Sequence, residues 1–118
     1  MTEVRYKIED LVGDLGITLE DGQKLFDQIH PDLASGKEVE LDFGGVRIFA
    51  SPFFNTGIGQ LMRDLSPLEV RRRVKFTNLM TAGRNVLERV LENSGEFYRN
   101  EASRAALAAV LDSEDQGG

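Results

Sequence analysis

Val4, Tyr6 and Ile8 alternate with Arg5, Lys7 and Glu9, a period of two that predicts a half-buried strand at the start of the chain. Gly13 and Gly16 frame a loop around Asp14 and Leu15. Thr18 stands where an N-cap belongs, with Glu20 and Asp21 at the positive end of the helix it would start. Leu25, Phe26 and Ile29 form that helix's apolar stripe, Leu33 carries it past Pro31, and Gly36 stops it. A second strand follows, with Val39, Leu41 and Phe43 on one side and Glu38, Glu40 and Asp42 on the other. Gly44-Gly45 reads either as a two-residue hairpin turn or as a bend within one irregular strand. The run from Val46 to Ala50 is short and leads straight into a helix, which favours the bend.

Ser51-Pro52 is an abrupt helix start: the serine hydroxyl is placed to cap free amides, and proline at the first helical position forfeits no bond. The helix is expected to bury Phe54, Ile58, Leu61 and Met62, with Phe53 at its entrance. Ser66 and Glu69 have capping-box spacing over a short helical turn. Val74, Phe76 and Asn78 alternate with Lys75 and Thr77 as a third strand. Thr81 opens a further helix with Val86, Leu87, Val90 and Leu91 as its apolar face, and Asn93-Ser94-Gly95 punctuates it. Asn100 then caps a last helix whose stripe includes Leu107, Val110 and Leu111. The order predicts an α/β fold: a small sheet of three to four strands covered by helices, its strands parallel neighbours joined by right-handed crossovers. We read residues 1–112 as a single domain and residues 113–118 as a flexible polar tail.

Composition narrows the chemistry. A chain of 118 residues holds one core; 41% hydrophobic and 29% charged residues is a globular balance. With a net charge of −6, general affinity for nucleic acid is not expected. The absence of cysteine removes disulfides, thiolate metal sites and cysteine nucleophiles. The first ten residues are charged and lack an apolar signal core, and no apolar run reaches membrane-spanning length, so a soluble, cytoplasmic protein is expected.

The segment from Val39 through Leu41-Asp42-Phe43-Gly44-Gly45-Val46 to Ser51 resembles the central signature of STAS domains, the anti-sigma-factor antagonists. More specifically it is similar to the bacterial STAS-like group (DUF4325), with an LDF-glycine-valine strand before a serine-led helix rich in Phe and Gly. The run from Val74 to Leu79 fits the next strand of that pattern, and the resemblance covers roughly residues 1–98. It implies a STAS-like fold and a non-catalytic, regulatory protein-interaction module, working with a histidine-kinase-type ATPase regulator or a related signalling protein. The STAS signature has aspartate, two serines and glycine where this chain has Ala50, Ser51, Pro52 and Phe53. Pro52 stands in place of the phosphoacceptor, so an interaction surface is carried over and phosphorylation is not. Ser51 and Thr56 remain as hydroxyls open to modification, with N-capping the simpler role for Ser51.

The partner-binding residues expected on this basis are Ser51, Pro52, Phe53, Phe54, Asn55, Thr56, Gly57 and Gly59. Phe53 and Phe54 are read either as an aromatic contact patch or as core. Thr56-Gly57-Ile58-Gly59 invites an alternative, a small nucleotide- or phosphate-binding enzyme or subunit working with Arg71, Arg72 and Arg73, but it lacks P-loop and dinucleotide spacing. Glycines allowing close helix packing are the simpler reading. The arginine run with Lys75 is the only basic cluster, and a solvated segment accounts for it as well as a phosphate contact does. His30 is the only histidine and has no second imidazole or thiolate nearby in the sequence, which leaves it without a metal or general-base role. Glu38, Glu40 and Asp42 suggest a strand with one wet or partner-facing side. No cofactor, metal or catalytic set is expected. The last helix either packs on its own sheet or makes a homodimer contact.

Overall fold

A computed structural model describes residues 2–117 of the chain, and side chains for residues 2–107. In chain order the elements are β1 (Glu3–Lys7), α1 (Ile8–Val12), β2 (Leu15–Gly16), α2 (Leu19–Ala34), β3 (Glu38–Asp42), β4 (Ile48–Phe49), α3 (Ser51–Gly57), a 3-10 turn (Gly59–Arg63), α4 (Pro67–Arg73), β5 (Val74–Thr77) and α5 (Thr81–Gly117). The expected α/β architecture is observed. β1, β3 and β5 form one parallel sheet in that order, and β2 pairs with β4 in a second, two-stranded parallel sheet.

The sheet's two faces follow from the register. Val4–Val39–Val74 and Tyr6–Leu41–Phe76 line up across the strands on one face, while Arg5–Glu40–Lys75 and Lys7–Asp42–Thr77 line up on the other. The strand order never reverses. Right-handed crossovers, the near-universal hand for parallel strands, then place every connecting helix on the same side. That side holds the core, including Ile8, Leu25, Ile29, Val39, Leu41, Phe43, Phe54 and Leu87, all buried. The opposite face is left polar and satisfies itself: Arg5 meets Glu40 at 3.1 Å and Asp42 at 2.8 Å, and Lys75 meets Glu3 at 3.0 Å. The Thr77 hydroxyl donates to Glu40. The wet side expected from the three acids of β3 is therefore real, and two of the acids, Glu40 and Asp42, are bonded to neighbouring strands.

Local signals set several boundaries. Thr18 caps α2 by accepting from the Asp21 N–H, and Ser66 caps α4 by accepting from the Glu69 N–H. Helix α2 continues through Pro31 to Ala34, with Leu33 buried as expected. Arg73 donates to the carbonyls of Leu33 and Lys37, satisfying one acceptor in the last turn of that helix and one just beyond it.

Several expectations need correction. The segment around Asp14 and Leu15 is not only loop, because Leu15 and Gly16 pair with Ile48 and Phe49. The Gly44-Gly45 segment is neither a hairpin nor a bend in one strand. Strand β3 ends at Asp42, whose Oδ1 accepts the Gly44 N–H at 2.9 Å, and a turn closed by the Val46 N–H on the Phe43 carbonyl follows. Gly45, at φ +87, supplies the left-handed residue that turn needs, and the chain leaves for the second sheet. Asn78 lies outside β5, in a left-handed conformation at φ 55. Finally, Asn93-Ser94-Gly95 does not interrupt the last helix and Asn100 caps nothing: α5 is continuous from Thr81 to Gly117. A Cβ on Gly95 would sit 2.5 Å from the Pro67 ring, so this glycine admits α4 to the helix surface rather than ending the helix. Leu107 is exposed, and the side chains of Val110 and Leu111 lie outside the described residues, as does Gly118.

Candidate functional site

Helix α3 begins where the small sheet ends. The Ala50 N–H donates to the Gly16 carbonyl at 2.9 Å, tying the last residue before the helix to β2. Ala50, not Ser51, occupies the N-cap position; Ser51 is already helical, Pro52 follows within the first turn, and no side chain caps the helix. The capping role expected for Ser51 is thus corrected, because its hydroxyl sits one residue too far along to reach back over the free amides. That hydroxyl belongs to an exposed residue, as do Pro52 and Asn55.

The rest of the expected contact set turns inward. Phe53 and Phe54 have no exposed surface, and Phe54 packs with its ring centroid 5.9 Å from Phe43, 6.0 Å from Phe49 and 5.3 Å from Phe53. Both phenylalanines are core, which settles the choice left open by the sequence and removes them as direct contacts. Thr56, Gly57 and Gly59 are buried too. A Cβ on Gly57 would lie 2.9 Å from Leu25 of α2, and one on Gly59 would lie 2.6 Å from the Ser94 hydroxyl of α5. These glycines serve helix-to-helix approach, and their amides face no open space for a phosphate. The arginine run is similarly engaged: Arg71 forms two hydrogen bonds to Glu88 at 3.1 and 2.6 Å, Arg72 meets Glu69 at 3.0 Å, and Arg73 holds the carbonyls of Leu33 and Lys37. Moreover, a strand order without reversal has no switch point, where open α/β sheets place their ligand crevice. His30 stacks on Phe26 with ring centroids 4.8 Å apart and meets Asp64 at 2.7 Å, joining α2 to the residue after the 3-10 turn. Among the described residues no cluster of three or more His, Cys, Asp or Glu side chains is placed to hold a metal, and no helix is long and apolar enough to cross a membrane.

What surrounds the exposed first turn of α3 was not foreseen. Leu15 and Ile48 are register partners in the small parallel sheet, so their side chains leave the same face side by side. Gly16 and Phe49 point the opposite way: a Cβ on Gly16 would touch the Phe53 ring at 3.4 Å, and Phe49 packs on Phe43 and Phe54. Leu15 and Ile48 therefore face outward, at 41% and 53% exposure. Leu19, 56% exposed, opens α2 three residues before Gly22, whose Cβ would meet the Phe53 carbonyl at 2.4 Å; the first turns of α2 and α3 lie side by side. Leu15 and Ile48 thus form an apolar margin in the strands that lead to the first turns of α2 and α3, where Leu19, Ser51 and Pro52 are exposed. Arg47 and Asp14 close one end of it in an exposed ion pair at 2.8 Å, and that guanidinium holds the Asp14 carboxyl below its ordinary value. Neither Leu15 nor Ile48 belongs to a long alternating run, so periodicity gave no sign of them.

Asp42 anchors the turn that delivers the chain to this site. It is 8% exposed, and its carboxylate accepts from Asn78 Nδ2 and the Gly44 N–H, both at 2.9 Å, and from Arg5 at 2.8 Å. The Asn78 bond, then the Gly44 bond, hold its pKa below the ordinary 3.8. A carboxyl with a lowered native pKa stabilises the fold fully above its unfolded value and loses that contribution as pH falls through the native one. Asp42→Asn should therefore flatten the acid limb of stability below about pH 4 relative to the wild type, as read by denaturant midpoints across a pH series.

The family described as "STAS-like domain of unknown function (DUF4325)" matches residues 21–93, more than half of the 118-residue chain. The chain belongs to that family. The match runs from the first turn of α2 into the first third of α5 and takes in β3 and its turn, β4, α3 and β5, while β2 with Leu15, and Leu19, lie before it. The fold of this STAS-like domain is the α/β arrangement described above, and the match indicates no catalytic family. No curated protein and no solved structure matched the chain.

Proposed function

We propose that this STAS-like domain is a non-catalytic regulatory module that docks a protein partner on the first turn of α3 and the small sheet beside it. The observation that carries this reading is the exposed apolar pair Leu15 and Ile48 on the outer face of the small sheet, whose strand β4 runs directly into the exposed Ser51 and Pro52 of α3 and whose inner face is locked by Phe49, Phe53 and Phe54. Contact residues within the originally expected set are then Ser51, Pro52 and Asn55; Phe53, Phe54, Thr56, Gly57 and Gly59 hold the helix in position from beneath. Leu15, Ile48 and Leu19 provide the apolar centre that such interfaces need. The family resemblance points to a histidine-kinase-type ATPase regulator or a related cytoplasmic signalling protein as the partner. A phosphate on Ser51 or a carboxylate substituted there would place charge at the edge of the apolar margin and weaken docking.

The test is affinity capture from the native cells with wild type, Ile48→Glu, Ser51→Asp and, on an exposed position of α2 further along, Lys24→Glu. Circular dichroism confirms that each is folded. A partner lost with Ile48→Glu, reduced about tenfold with Ser51→Asp and kept with Lys24→Glu supports the proposal. Equal recovery by all four removes this face as the docking surface.

A further inference from the structure

We propose that the free edge of β5 accepts an extended, acidic segment of a partner protein as an added strand of the main sheet, at a site distinct from the α3 face. Strand β5 pairs only with β3 and so ends the sheet. The Thr77 carbonyl accepts the Phe43 N–H at 2.9 Å, which turns the backbone of Thr77, and by alternation of Lys75, toward β3. Val74 and Phe76 present their backbone outward. The Val74 N–H is already used by the Val70 carbonyl at the end of α4. Val74 is 1% exposed, so the open part of the edge is the N–H and carbonyl of Phe76, the carbonyl touched only by Arg84 at a long 3.4 Å.

This edge is covered at Val74 and only half-buried at Phe76. A groove of about 410 Å³ runs along it, lined by all four residues of β5 on one side and by Arg71, Arg84, Leu87 and Glu88, among others, on the other. A strand edge beside a helix-walled groove is the geometry by which extended peptides add to a sheet, with main-chain bonds supplying affinity and alternate side chains entering the groove. The half-buried Phe76 ring offers the apolar seat.

Charge selects the occupant. Three cations, Arg71, Lys75 and Arg84, line the groove; Glu88 already pairs with Arg71 and Glu3 with Lys75 in exposed ion pairs that a competing acid can enter, and among the described residues the third cation stands alone. Among the described residues the Arg84 side chain has no carboxylate within ion-pair distance, its one side-chain bond being that to the Phe76 carbonyl. A second copy docked edge to edge would set Lys75 and Arg84 of one molecule against Lys75 and Arg84 of the other, and like charges facing across strands are unfavourable. An acidic strand meets no such opposition.

The probe is a short fluorescent peptide alternating glutamate with valine, titrated against the full chain by anisotropy, with amide hydrogen exchange followed by NMR. Saturable binding that slows exchange at the Phe76 N–H, weakens about tenfold with Arg84→Glu, and vanishes when the peptide's edge-facing amides are N-methylated supports the site. The same peptide with lysine for glutamate should not bind. The proposal is overturned by no binding, by unchanged exchange at Phe76, or by equal binding of the N-methylated peptide. Protection of Phe76 that grows with protein concentration in the absence of peptide would also overturn it, since the edge would then belong to a second copy. Ile48→Glu should leave peptide binding intact, which separates this site from the α3 face.

Discussion

Phe54→Ala is expected to lower the unfolding free energy by about 3–5 kcal/mol, the usual cost of removing a large aromatic from a packed core. Phe54 has no exposed surface and packs against Phe43, Phe49 and Phe53, so the space it leaves is walled by rigid rings that cannot collapse into it. Domains of ordinary stability have about 5–15 kcal/mol in total, so the variant should be close to unfolding at physiological temperature. Urea denaturation with an unchanged slope and a much lower midpoint is the expected result. A near-wild-type midpoint would mean that the helix is not seated as described. The consequence for binding work is direct. Loss of a partner on Phe54→Ala reports loss of the fold, and the contact question belongs to Ile48 and Ser51.

Gly22→Ala should be the second most damaging change, lowering stability by about 2–3 kcal/mol through forced overpacking. Elsewhere in a helix the same substitution gains about 1 kcal/mol from propensity, so the sign itself is diagnostic. A Cβ on Gly22 would lie 2.4 Å from the Phe53 carbonyl oxygen and 3.0 Å from Thr56 Cβ. The nearest obstacle is main chain, which cannot rotate aside, so α2 must slide away from α3 and open the seam beneath the proposed docking face. Gln28→Ala, at an exposed position of the same helix, is the control and should change stability by less than about 0.5 kcal/mol. A Gly22→Ala midpoint at or above wild type would show that the two helices are not in backbone contact. Because the damage falls at the first turns of both helices, amide exchange in α3 should quicken before exchange in β3 does.

Much of the fold could be read from one dimension because its signals are local. The alternation in β1 and β3, the caps at Thr18 and Ser66 and the proline in the first turn of α3 each act within a few residues, through side-chain period or a hydrogen bond three positions along. The family motif lies in the same local stretch, so the resemblance and the match to residues 21–93 agree. Other features were not local. Ser94 and Gly95 look like a helix stop in sequence, and are instead where the 3-10 turn and Pro67 approach α5. Two aromatic residues at a helix start look the same whether they face a partner or a core; the position of Phe43 and Phe49 decided it.

The order of apolar and polar residues was sufficient to establish an α/β chain, its main strands, and the place where the second strand gives way to a serine-proline helix. Long-range pairing had to supply the rest. Strands as short as β2 and β4 have no periodicity of their own, and Leu15 comes beside Ile48 only because the turn after Asp42 returns the chain to that edge. Which face of a helix or strand stays in water is fixed by what the rest of the chain packs against it. The strand order of the sheet, which no single segment encodes, therefore left one face polar and put β1 and β5 at its edges.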